Sequence, residues 1–163
     1  MDLLKKYDLP ILSPLDILET LQDCAIQGVT VGLLNGKDRV FVLEACKTLE
    51  SLTDQFALTL VQLSRITLAN FLRLRYLYVK ETSIFLIFDG TKMSLASYLT
   101  GKELSIETKF HIFKQVVEIV YNLQNFNEDF SEFDLNNFFL VEQEPNLSKS
   151  PVLVKIIYHG KIN

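Results

Sequence analysis

Between the apolar run that begins Val29-Thr30-Val31 and the run Val40-Phe41-Val42-Leu43 lies Asn35-Gly36-Lys37-Asp38. Asn-Gly between two such runs is a strong short-range hairpin signal, because both residues tolerate the positive φ that a tight primed turn demands. The two runs are therefore predicted to be antiparallel neighbours, and the rest of the first half is built around them. Leu15 to Leu21 reads as a preceding strand, separated from Val29 by a break at Gln22-Asp23-Cys24-Ala25-Ile26-Gln27-Gly28. From Leu52 onward the spacing becomes helical, with Phe56, Leu60, Leu63 and Ile66 recurring at three and four residues. Phe71 to Val79 and Ser83 to Phe88 then read as two further strands joined at Lys80-Glu81-Thr82. The expectation is an α+β chain: an extension over residues 1–14, then a five-stranded antiparallel lobe with one helix over 15–90.

The second half, 91–163, differs in kind. Ser94 to Leu99 suggests a short helix, and Ile106 to Leu123 a long one capped by Ser105, with Glu107 in its first turn. Phe110, Ile112, Phe113, Val116, Val117, Ile119, Val120 and Leu123 cover a broad arc of the long helix, which calls for cover on more than one side. Asp134-Leu135 then falls in a loop, Phe138 to Val141 is a short apolar run, Glu142 to Ser150 is polar, and Val152 to Ile157 reads as a last strand.

Charge narrows the partners. The 163 residues carry a net charge of −4 and no Lys/Arg run longer than two, so no basic field attracts a phosphate backbone, and nucleic acid is not an expected partner. A hydrophobic share of 48% supplies a core, yet no run approaches the roughly 20 apolar residues of a membrane span. Cys24 and Cys46, two thiols without framework spacing, read as reduced and buried. A cytoplasmic protein is expected, with a nuclear location left open.

The order of strand, Gly-loop, hairpin, Ala-x-Lys, helix, two strands, helices, Asp-Leu loop and hairpin resembles the front part of a eukaryotic protein kinase domain, over about residues 15 to 163. Ala45-Cys46-Lys47 resembles the Ala-x-Lys whose lysine holds the α- and β-phosphates of ATP. Phe88-Asp89-Gly90 falls where the gatekeeper and hinge would lie. The resemblance implies a kinase-like fold with a truncated helical second lobe, ending just after the position equivalent to Asp-Phe-Gly.

Kinase chemistry is mostly positioning and electrostatic stabilisation of a transferring phosphoryl group. By the same resemblance, the parts that do this are degenerate. The three glycine-loop sites hold Asp23, Ala25 and Gly28, and Thr59 stands where a helix glutamate would pair with the lysine, leaving Glu50 or Asp54 as substitutes. His-Arg-Asp reads Glu132-Phe133-Asp134, and the asparagine expected five residues later is Phe139. Asp-Phe-Gly reads Tyr158-His159-Gly160, which removes the carboxylate ligand for a hard divalent cation. Glu132 and His159 raise the idea of a charge-assisted pair in place of apolar packing.

The resemblance thus implies a catalytically inactive kinase-like domain serving as a protein-interaction or regulatory module. Asp134 and Tyr158 are degenerate equivalents of catalytic residues. Lys47, Gly28, Ala45 and Asp89 are the candidate nucleotide-binding set. No cofactor or metal is expected, with ATP bound without the usual metal as the alternative, and an unrelated α+β binding domain as a second alternative. The apolar arc formed by Phe110, Phe113, Val116, Val117, Ile119, Val120 and Leu123 is the expected surface for another protein or for self-association.

Overall fold

A computed structural model of the chain describes residues 2–23, 28–101, 103–126, 135–142 and 152–158. The chain is α+β, with two antiparallel sheets and four α-helices among the described residues. It divides into two compact units, one of Met1–Thr67, Leu72–Gly90 and Tyr158–Asn163, the other of Leu68–Phe71 and Thr91–Ile157.

The first unit is a five-stranded sheet. Strands β1 (Leu18–Asp23), β2 (Val29–Leu34), β3 (Asp38–Thr48), β4 (Leu74–Lys80) and β5 (Ser83–Asp89) lie in the order β1-β2-β3-β5-β4, with every pair antiparallel. The Asn-Gly expectation holds in detail. Asn35 and Gly36 take φ of 55° and 68°, and the Lys37 N–H donates to the Leu34 carbonyl at 3.1 Å. Asn35 also ties the turn to the chain just before β1: its Oδ1 accepts from the Ile17 N–H at 2.8 Å, and its Nδ2 donates to Asp16 at 3.0 Å. Between β3 and β4 the expected helix forms as α2 (Asp54–Ser64); Thr53 caps it by accepting from the Phe56 N–H at 3.2 Å. Phe56, Leu60 and Leu63 are buried, as their spacing predicts, together with Ala57.

Residues 2–14 are built into this unit. A short helix, α1 (Asp2–Lys6), buries Leu4, and the chain beyond it buries Leu9 and Leu12. Here the backbone runs beside β4, bridging in parallel at Ile11 and Leu77. The Leu77 N–H donates to the Pro10 carbonyl and the Leu12 N–H to the Leu77 carbonyl, each at 2.8 Å. Proline has no N–H to offer, and at this position only its carbonyl is used.

The second unit carries both expected helices and one short strand that the sequence does not suggest. The numbering continues with β6 (Met93–Ser94), α3 (Leu95–Gly101), α4 (Ile106–Asn125), β7 (Phe138–Glu142) and β8 (Val152–Ile156), and the strands form a sheet ordered β6-β7-β8. The β7–β8 pair is the expected antiparallel hairpin, whereas β6, two residues long, carries no sequence signal. Ser105 caps α4 by accepting from the Thr108 N–H at 3.1 Å.

The outer edge of β8 is closed mainly by side chains, with one backbone bridge between Phe71 and Ile156. Gln115 of α4 accepts from the Val154 N–H through Oε1 at 2.9 Å and donates through Nε2 to the Val152 carbonyl at 3.1 Å. Asn70 donates to the Val154 carbonyl at 2.7 Å and to Gln115 Oε1 at 3.2 Å, while its own carbonyl accepts from the Ile156 N–H at 3.0 Å. Val152, Val154 and Ile156 are almost wholly buried, so these bonds satisfy groups that water cannot reach.

Candidate functional site

The positions proposed for nucleotide lie along β3 and its neighbours. β3 pairs regularly with β5 from Val40 to Glu44 and again at Thr48, and a register shift falls between. Ala45-Cys46-Lys47 occupies that irregularity. Ala45 is buried and Lys47 exposed, and among the described residues no acidic side chain forms an ion pair with the lysine. Asp54, one of the two substitute partners, is taken elsewhere: it accepts from the Tyr7 hydroxyl at 2.7 Å and from Lys6 at 3.3 Å. Those bonds, Tyr7 first and Lys6 second, hold its carboxyl below the usual range, while the Asp54 hydrogen bond raises both Tyr7 and Lys6. Thr59 spends its hydroxyl within its own helix, on the Gln55 carbonyl at 3.0 Å.

Gly28 sits just before β2 with φ of +80°, a conformation that favours glycine, and among the described residues a Cβ there would meet only Leu43, at 3.8 Å.

Asp89 is not brought together with Lys47. It closes β5 opposite Val40, so the two positions stand on the order of 20 Å apart along β3 at about 3.3 Å per residue. Its carboxylate faces Arg75 at 3.5 Å and Arg73 at 3.7 Å, and Arg75 also reaches Asp38 at 3.7 Å. Arg75 is only 21% exposed and lies over the Tyr76 ring at 5.6 Å. This cluster joins the ends of β3, β4 and β5. Beside it, the Gly90 N–H donates to the Arg39 carbonyl at 3.0 Å, and a Cβ on Gly90 would fall 2.6 Å from that oxygen. Only glycine fits there, for a steric reason. The sequence offered Asp89-Gly90 as a hinge; it gave no sign of the two arginines that hold the aspartate.

Asp134, Glu132 and His159 lie outside the described residues, as do Ala25 and Cys24 and the side chains of Asp23 and Cys46. Tyr158 is half-buried. Phe139, at the position matched to a metal-binding asparagine, is a core residue of β7, 3% exposed. Among the described residues, no group of three or more His, Cys, Asp or Glu side chains could hold a metal ion.

The expected interaction arc on α4 divides into two faces. Ile119 and Leu123 are buried at 0% and 1%, with Ile112 beside them, so they belong to the core of the second unit and correct the expectation that they are open. Val116 and Val120 are half-buried. Phe110, Phe113 and Val117 remain exposed at 62%, 65% and 49%, and the structure adds Ile106 at 85% and Tyr121 at 63% to the same line. Their spacing of three and four residues makes one continuous stripe, opposite the buried face of the helix.

No protein-family model matches the chain, and no curated protein matches it. No described helix is long and apolar enough to cross a membrane.

Proposed function

We propose that this chain is a catalytically inactive, kinase-like binding module, and that its working surface is the exposed face of α4. The observation that carries this is the stripe of Ile106, Phe110, Phe113 and Val117, apolar side chains in one line that the core of their unit does not use. A contiguous patch of this kind is characteristic of a protein-binding surface.

Support for the kinase-like part comes from the five-stranded antiparallel sheet with α2 inserted between β3 and β4. Support for inactivity comes from the residues that would carry phosphoryl transfer. Lys47 stands exposed in an irregular stretch of β3 without a described acidic partner, Thr59 replaces the helix carboxylate, and Phe139 fills core space where a metal ligand would stand. Asp89 is committed to two arginines.

Thermal melting with ATP, with and without magnesium, tests the reading alongside a phosphotransfer assay. The melting temperature is expected to stay within about 1 °C and no transfer to occur; a ligand at 100 times its dissociation constant would stabilise by about 2.7 kcal/mol and raise it visibly. A nucleotide-dependent rise abolished by Lys47→Met would replace this reading with that of a residual nucleotide binder.

A further inference from the structure

The charges beside the α4 stripe single out one occupant. Glu107 and Lys114 lie seven residues apart on one flank of the stripe, and Lys109 lies on the other. Glu107 is 83% exposed, and its nearest described partner, His111, is 3.8 Å away, beyond hydrogen-bond distance. Lys114 is exposed and forms no ion pair with a described residue.

We propose that the stripe is covered by α4 of a second copy of this chain, running antiparallel about a two-fold axis at the level between Phe110 and Phe113. In this register Phe110 of one copy packs on Phe113 of the other, and Ile106 packs on Val117. The flank then closes on itself: Glu107 meets Lys114 of the other copy, and the symmetry repeats the pair. A two-fold interface needs a self-complementary patch, which this is.

The alternatives are worse on the same residues. A parallel pair sets Lys109 against Lys114 of the other helix, twice, because facing flank positions in parallel coils are five residues apart. An antiparallel pair shifted by one heptad sets Lys114 against its own copy. Like charges held face to face disfavour both.

The inference rests on the reading of α4 as a binding face, and sedimentation of the full chain across a concentration series tests it. The wild type is expected to pass from monomer to dimer. Glu107→Lys and Lys114→Glu, both at exposed positions, should each weaken pairing about tenfold, and an equimolar mixture of the two variants should restore it, since every flank contact is then between opposite charges. Phe113→Asp should abolish it with an unchanged circular dichroism spectrum. A wild type that stays monomeric up to about 1 mM, or two variants that do not recover on mixing, overturns the proposal. Neither result touches the nucleotide and phosphotransfer tests, so a failed pairing and a failed non-catalytic reading are told apart.

Discussion

The two sheets close an edge with a different balance of backbone and side chain. On β4 the cover is backbone: Pro10 to Leu12 lies alongside Leu77 and is fixed there by the buried side chains of Leu9 and Leu12. On β8 the cover is mainly two polar side chains, Asn70 and Gln115, which take up main-chain groups of Val152 and Val154, while the Ile156 N–H bonds the Asn70 backbone. An open edge is a template for unwanted pairing, and both devices remove it. They differ in where the risk lies. A backbone cover spreads its energy over apolar anchors, whereas a side-chain cover concentrates it in one or two amides whose loss leaves several buried groups unsatisfied at once.

Gln115→Leu should therefore be the most damaging change. The leucine keeps much of the volume but takes from the buried Val154 N–H the amide oxygen that satisfies it, at about 1 to 3 kcal/mol, and removes the bonds to the Val152 carbonyl and to Asn70, each worth about 1 kcal/mol. Denaturant unfolding should show a loss of about 4 kcal/mol, and hydrogen exchange at Val154 should accelerate. A loss below about 1 kcal/mol, which is the net worth of one ordinary hydrogen bond, would break the contrast between the two edges.

Leu12→Ala should rank next, at about 2 to 3 kcal/mol, since the site lies at an edge and collapses more readily than a central cavity. Its signature is local: faster exchange at Leu77, whose N–H donates to Pro10, with Val154 unaffected. Acceleration at both sites would mean that the two covers are not independent.

The smallest effect belongs to the Lys6–Tyr7–Asp54 contact, which joins α1 to α2 in full solvent. Asp54 titrates below its ordinary value when folded, so its contribution is present above the unfolded carboxylate range and is lost as pH falls through the folded value, below about pH 4. Tyr7 and Lys6 titrate above theirs, so their share is complete below the unfolded values and fades as pH rises beyond about 10. Asp54→Asn should bring the tyrosinate absorbance transition of Tyr7 down toward its ordinary pH while barely moving the melting temperature. An unmoved transition would remove the contact from the account.

The features legible in the sequence were the periodic ones. The Asn35-Gly36 turn, α2 with Phe56, Leu60 and Leu63 inward, the Ser105 cap and the β7–β8 hairpin all follow from local patterns. Both edge covers escaped, for different reasons. The residues 9–12 segment makes a strand-like pairing too short to show alternation, and Gln115 meets its partners across 37 and 39 residues, a distance over which no local pattern speaks. On α4 the periodicity placed the apolar residues correctly but could not divide them, because Ile119 and Phe113 look alike until the sheet arrives on one side. For the candidate nucleotide set, the sequence showed the landmarks in order; it did not show that Asp54 and Asp89 already have partners.

The Asn35-Gly36 turn has a chemical consequence beyond its shape. Asparagine followed by glycine is prone to deamidation, because the unhindered glycine nitrogen attacks the side-chain amide and expels ammonia. In the folded chain that amide is held by Ile17 and Asp16 at 2.8 and 3.0 Å, so the attack must first break both bonds. Damage at Asn35 should accumulate almost solely in molecules that have opened at β1, and the fraction converted then becomes a clock for the time each molecule has spent out of its native state.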